Sequence, residues 1–250
     1  IPVFSLMWVI SLQEYVTQSG DTAFGKKWLP TARIIMETFC QHMKNGLVSL
    51  FSGEGYWNFY EWSDGLDGTA ALSGKETDCL VNLFYAYAIQ RYQILSEILG
   101  IYEERQQIQN RYDLLKQKIN RTFWDEKQKG YRVSDEDSRC PELVQALAVI
   151  SGIGSPHRSK LIAGLANRSF SPHATLSSKI FTYEALLTEP SVYPLIRSEI
   201  KDIWGKMLFA GATSFWETEK GADDFDNAGS LCHGWSAVPV YVYWQLLNNE

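Results

Sequence analysis

The sequence predicts an all-α fold. Three observations carry that expectation: apolar residues recur at helical spacing over long stretches, glycine or proline ends those stretches, and no segment sustains strand alternation. At 250 residues, 45% hydrophobic and 14% aromatic, the chain fits one large domain, residues 1–250, with a sizeable core. The same composition excludes a disordered chain.

The elements follow in order. Phe4, Met7, Trp8, Leu12, Tyr15 and Val16 make the first helical run, which Ser19-Gly20-Asp21 stops. A second helix covers about 24–43, with Trp28, Ile34, Ile35, Met36 and Phe39 apolar and Gly46 beyond its end. A third runs from about 76 to 99 and stops at Gly100; a fourth, about 102–124, carries Leu114, Leu115, Ile119 and Phe123. Shorter helices are expected at about 141–151, 156–167, 174–187, 191–209 and 234–247. Asn45-Gly46 reads as a turn at a helix end. Trp8, Trp28, Trp204 and Trp244 fall inside helical runs and read as core.

The connections alternate in length. Tight turns fall at Ser19-Gly20-Asp21, Gly100-Ile101, Gly152-Ile153-Gly154-Ser155 and Glu189-Pro190, and longer segments at 45–75, 125–139, 168–173 and 210–233. Tight turns make antiparallel hairpins, so every longer connection is expected at one end of the stack. Six such hairpins closed in a ring give an (α/α)6 toroid of twelve helices. Nine helices are legible here, so the toroid is expected to be incomplete, with its first hairpins missing. The chain opens at Ile1-Pro2 without a start Met and reads as a piece of a longer polypeptide, its remainder upstream. No repeat of fixed length points to a solenoid.

Several partner classes drop out. A net charge of −6 without a Lys/Arg run leaves no footprint for nucleic acid or anionic lipid. The apolar runs are too short and interrupted to insert in a membrane. Cys40, Cys79, Cys140 and Cys232 lie far apart without C-x-x-C spacing, which argues for separate thiols rather than a zinc site. No glycine-rich cradle with a lysine serves phosphate, and no βαβ unit serves a hydride cofactor, so no cofactor is expected. Two N-x-[ST] matches, at Asn120 and Asn167, are too common a pattern to indicate secretion.

The longer loops are where chemistry is expected. The first, NGLVSLFSGEGYWNFYEWSDGLDG, sets Tyr56, Trp57, Phe59, Tyr60 and Trp62 beside Glu54, Glu61, Asp64 and Asp67. The second, FWDEKQKGYRVSDEDSR, carries Trp124 and Tyr131, with Asp125-Glu126-Lys127 reading as a solvated turn. The last, GATSFWETEKGADDFDNAGSLCHGWS, holds Trp216, Glu217, Asp223, Asp224, Asp226, His233 and Trp235. Aromatic rings stack on the C–H faces of sugars, and interleaved carboxylates accept their hydroxyl hydrogen bonds. Asp223, Asp224 and Asp226 read as a surface turn; their spacing matches no calcium loop, and no metal site is expected. His42, His157 and His173 sit in surface-like contexts. His233, sixteen residues after Glu217 and beside Trp235, stands apart.

At these residues the chain resembles the α-L-rhamnosidases of glycoside hydrolase family 78. The resemblance covers nearly the whole chain and is strongest in IPVFSLMWVISLQEYVTQSGD, YWNFYEW, FWDEKQKGY, and GATSFWE followed by SLCHGWS. It implies a six-hairpin (α/α)6 catalytic domain, of which residues 1–250 would be the C-terminal part. It also implies hydrolysis of terminal α-L-rhamnosides, in a rhamnosylated glycoside or polysaccharide, with inversion. By the same resemblance Glu217 is the general base, with Trp216 flanking it, and His233 is a sugar contact. Glu61-Trp62 matches the family's Asp-Trp pair with Glu in place of Asp; with Trp57, Trp216 and His233 this pair is expected to contact the substrate. The family's general acid lies in a Cys-Pro-x-Arg-Asp-Glu motif that this chain lacks; its Cys140-Pro141 is followed by Glu-Leu. The acid is therefore expected upstream, and the fragment alone is expected to be nearly inactive.

Two other readings fit the residues. One is another inverting barrel glycosidase of trehalase or glucoamylase type, since the fold hosts several sugars. The other is a non-catalytic carbohydrate-binding or helical scaffold protein.

Overall fold

The computed structural model describes residues 1–68 and 76–248, so residues 69–75 of the expected 45–75 loop lie outside the described residues. Among those described are nine α-helices: α1 (Pro2–Ser19), α2 (Thr22–Gln41), α3 (Cys79–Ile98), α4 (Arg105–Phe123), α5 (Glu142–Ile150), α6 (Arg158–Ala166), α7 (Lys179–Leu186), α8 (Tyr193–Phe209) and α9 (Val238–Asn248). Two short antiparallel hairpins join them: β1 (Met43–Lys44) with β2 (Leu47–Val48), and β3 (Trp124–Asp125) with β4 (Gly130–Tyr131).

Local chemistry sets the helix ends. Pro2, with its fixed φ, opens α1. Gly20 closes it in the left-handed conformation, its N–H donating to the Val16 carbonyl. Asp21 then caps α2 by accepting the N–H of Phe24, and Asp78 caps α3 by accepting the N–H of Val81. The second cap starts α3 at Cys79, three residues later than helical spacing alone suggests. In the β1–β2 turn Asn45 and Gly46 both take positive φ, 52° and 83°, the pair a two-residue hairpin needs.

Burial patterns sort the helices into two layers. α3 buries every residue from Cys79 to Ile89, and α5 every residue from Glu142 to Ala148. α4 buries only the stripe Ile108, Tyr112, Leu115, Ile119 and Phe123. A helix apolar all round needs cover on both sides, whereas a striped one needs it on one. Accordingly α1, α3, α5, α7 and α9 pack one on the next in an inner arc, and α2, α4, α6 and α8 back them.

The alternation of tight and longer connections gathers the longer ones at one end. Ser63 donates its hydroxyl to the His173 carbonyl at 2.8 Å, Arg139 pairs with Asp64 at 2.9 Å, and Trp62 meets Phe225 at 5.3 Å between ring centroids. Those contacts tie the connections before α3, α5, α7 and α9 to one another. Beneath them lies a buried ion network: Lys179 of α7 donates to Glu142 of α5 at 2.7 Å and to Glu199 of α8 at 2.8 Å. Glu142 also accepts the Ala174 N–H and the Thr182 hydroxyl, which fixes the 167–178 connection to the inner helices.

Two tryptophans read as core lie open. Trp204 is buried and Trp28 is partly buried, but Trp8 is 36% and Trp244 52% exposed. Trp8 meets Trp28 edge-on and leaves its remaining surface open. Trp244 lies with Val240 and Leu247 on one exposed apolar face of α9, and Leu208 and Phe209 are exposed at the end of α8. Helical periodicity reports that a side is apolar, not that a neighbour covers it.

Candidate active site

At the end where the longer loops meet lies a hollow of about 520 Å³. The start of α1 contributes Phe4, the connection before α3 contributes Trp57, Phe59, Tyr60 and Trp62, and the start of α7 contributes Ser177, Ser178 and Phe181. The connection before α9 contributes Glu217, His233 and Trp235. Among the described lining residues Glu217 is the one carboxylate, and none is lysine or arginine. Such a wall favours an uncharged ligand with apolar faces.

Glu217 is placed by its own loop. Its backbone N–H donates to the Ser230 carbonyl at 2.9 Å, and the His233 N–H donates to the Phe215 carbonyl at 2.7 Å. These two rungs draw Glu217 and His233 together although sixteen residues separate them in sequence. The Ser230 N–H also donates to the Glu217 carboxylate at 3.3 Å. His233 Nδ1 lies 3.3 Å from the Ser236 hydroxyl, and the Ser236 carbonyl accepts the indole N–H of Trp204 at 2.9 Å. The outer helix α8 thus anchors the turn that carries the histidine.

A continuous string of ring contacts runs around the hollow. His233 meets Trp235 at 6.1 Å, Trp235 meets Phe4 at 5.2 Å, and Phe4 meets Phe59 at 6.2 Å. Phe59 touches Trp57 and Trp62, each at 4.7 Å, and Trp62 reaches Phe225 at 5.3 Å. The string begins and ends on the loop that carries Glu217. Trp57 is held by its indole N–H, which donates to the Asp67 carbonyl at 2.8 Å. Tyr60 is fixed beneath, its hydroxyl donating to both oxygens of Asp78. Burial and the neighbouring Asp78 push that hydroxyl's pKa well up, so it stays a donor.

Of the six residues singled out from sequence, Trp57, Trp62, Glu217 and His233 line the hollow together. Glu61 and Trp216, expected as substrate contacts, do not line it. Glu61 is 1% exposed, and its Oε2 accepts the Thr175 N–H at 2.8 Å and the Thr175 hydroxyl at 2.9 Å. Tyr60 and Trp62 on either side of it reach the hollow, whereas Glu61 turns inward to the Thr175 N–H and hydroxyl. Burial pushes its pKa up to about 7, against the pull of its hydrogen bonds from Thr175 and Ser178. Trp216 packs over Gly221, where a Cβ would lie 2.7 Å from its ring, and so braces the loop beside Glu217. Phe4, Phe59, Trp235 and Ser178 enter the hollow without having been singled out. Phe4 was named only as part of the first helical run, and Trp235 carried a signal only as the neighbour of His233.

The sequence pattern of the bacterial alpha-L-rhamnosidase six-hairpin glycosidase domain matches residues 2–246. The chain belongs to that family. Among solved structures, this rhamnosidase-family chain is similar to the family 78 rhamnosidase of Bacillus sp. GL1, with a TM-score of 0.82 and 25% identity over 96% of the chain and 26% of that protein. It is similar to a Klebsiella oxytoca rhamnosidase with rhamnose bound, with a TM-score of 0.80 and 24% identity over 100% of the chain and 47% of that protein. The Streptomyces avermitilis alpha-L-rhamnosidase complexed with L-rhamnose shares the fold at a TM-score of 0.63 and 12% identity, over 90% of the chain and 21% of that protein. The rhamnosidase-family chain thus spans about a quarter to a half of the first two of these proteins. Among curated proteins, none matches it.

Proposed function

We propose that this chain forms the base-bearing, C-terminal part of the catalytic domain of an inverting α-L-rhamnosidase, cleaving terminal rhamnose from a glycoside or polysaccharide. The observation that carries the reading is Glu217, the one carboxylate among the described residues lining an aromatic hollow, locked to Ser230 beside His233. Family membership and the rhamnose bound in two structural relatives support the choice of sugar.

Inverting hydrolysis needs an ionised carboxylate to take a proton from water and a protonated carboxyl to give one to the leaving oxygen, about 6.5–9.5 Å apart. In this reading Glu217 takes the water's proton as the water attacks the anomeric carbon. The aromatic string holds the sugar's C–H faces, and His233 hydrogen-bonds a hydroxyl. Glu61 has the raised pKa of an acid, but its carboxyl is closed off against Thr175 and reaches no leaving group. In this reading the acid comes from outside the described residues. Comparing rhamnoside turnover by this chain alone with turnover by a protein that carries the acid motif tests the division of roles. The reading expects turnover only in the second.

A further inference from the structure

The turn that follows Glu217 holds its backbone in an unfavourable shape. Phe225, Asp226 and Asn227 take φ values of 51°, 57° and 67°, three consecutive residues with a Cβ in the left-handed region. Their neighbours enforce it. The Asp224 carboxylate accepts the Phe225 N–H at 3.0 Å, and the Asp224 carbonyl accepts the N–H groups of Ala228 and Gly229, each at 3.0 Å. Gly229 lies so close to Gly221 that a Cβ on it would fall 1.9 Å from the Gly221 carbonyl oxygen.

The outcome of that clamp is the placement of one side chain. Phe225 is the aromatic residue of an otherwise polar and small 223–229 stretch, and its ring sits 5.3 Å from Trp62 at an interplanar angle of 58°. Phe225 is 38% and Trp62 43% exposed, so each leaves ring surface open beside the hollow. Backbone strain near a site is retained where it positions something.

We propose that Phe225 is a specificity-determining residue: with Trp62 it forms an aromatic wall at the mouth of the hollow that stacks on the flat apolar face of the group attached to the rhamnose. This rests on the rhamnosidase reading above. An aryl ring and the C–H face of a neighbouring sugar offer the same stacking chemistry. Methyl α-L-rhamnoside offers neither and fills only the sugar pocket.

The test is calorimetric binding to the intact protein, made unreactive with Glu217→Gln, of three ligands: methyl α-L-rhamnoside, p-nitrophenyl α-L-rhamnoside and a rhamnosyl-glucose disaccharide. Phe225→Gly removes the ring and relieves the left-handed strain, so a loss cannot come from a more strained turn; Phe225→Tyr keeps the ring. The expected result is a loss of about fivefold in affinity for the aryl ligand, the disaccharide or both in the Gly variant, as for a lost ring-stacking contact. Methyl rhamnoside should stay within about twofold, and the Tyr variant should match the parent. Which of the two larger ligands suffers identifies the leaving group. Equal losses for all three ligands, or no loss for either larger one, overturn the proposal while leaving the rhamnosidase reading standing. A parent protein that binds none of the three overturns both.

Discussion

Glu61 and Thr175 are joined by two hydrogen bonds across 114 residues of sequence, the backbone N–H at 2.8 Å and the hydroxyl at 2.9 Å, both donated to one carboxylate oxygen. The second oxygen, Oε1, is buried with it. This contact ties the loop that presents Trp57 and Trp62 to the start of α7, and it does so with a carboxyl that burial has pushed up to about 7.

The pH consequence has a definite direction. Unfolded, Glu61 loses its proton near 4.5; folded, it keeps it until about 7. Folding therefore takes up a proton between those values, and stability falls as pH rises through that window, then levels off. Glu184, also pushed up to about 7 by burial, acts in the same direction. Glu61→Gln should equal the parent at pH 4.5 and exceed it in thermal midpoint at pH 8. Thermal melts across that range check the claim; parallel curves would refute it.

Glu61→Ala leaves the Thr175 N–H and hydroxyl buried without their acceptor, at a cost of about 1–3 kcal/mol for each unsatisfied group. Chemical denaturation at pH 6 should show the loss. A stability equal to that of Glu61→Gln would mean the two bonds contribute nothing.

Lys179 balances two carboxylates from a position 2% exposed. Burial alone would raise the pKa of Glu142, yet Lys179 and the donors from Thr182 and Ala174 hold it below the usual carboxylate range. Lys179→Met removes the cation and should destabilise by about 3–5 kcal/mol, with Glu142→Gln in the same chain recovering part of the loss. Additive destabilisation in that pair would contradict the network.

Gly229→Ala places a Cβ against the Gly221 carbonyl and should displace the turn that bears Phe225 without unmaking the core. The expected result is near-parental helical content by circular dichroism with a loss of about 10²-fold in rhamnoside turnover in the intact enzyme, the scale of a misplaced site. Unchanged turnover would show that this turn does not shape the site.

The exposed apolar side chains at the end of α8 are an association liability. Phe209 is 95% and Leu208 73% exposed. Changing both to serine should shift sedimentation profiles of the isolated chain toward a single monomeric species while leaving its helical signal unaltered. An unaltered distribution would show that these two side chains make no contact in solution.

Much of this was legible because helical chemistry is local. The stripes of α2 and α4 and the stops at Gly20 and Gly100 depend on near neighbours, and the alternation of tight and longer turns then places the loops. The hairpins at Met43–Val48 and Trp124–Tyr131 have strands of two residues each, too short to leave an alternating pattern. Glu217 and His233 were legible as a loop pair because motif and chemistry coincide there. The inward turn of Glu61 was not, because Thr175 decides it from far along the chain. Trp216 and Phe225 show the same limit: both are loop aromatics, and only packing against Gly221 or Trp62 separates brace from wall.

The central claim is that Glu217 is the base that activates water. The direct measurement is turnover of an aryl α-L-rhamnoside and rhamnose affinity, side by side, for the intact enzyme and its Glu217→Gln variant. The amide keeps the shape and the contact with Ser230 but cannot accept the proton. Turnover should fall by roughly 10²–10⁴-fold, the usual worth of a positioned base, while affinity changes little. A near-parental rate, with affinity intact, would contradict the assignment.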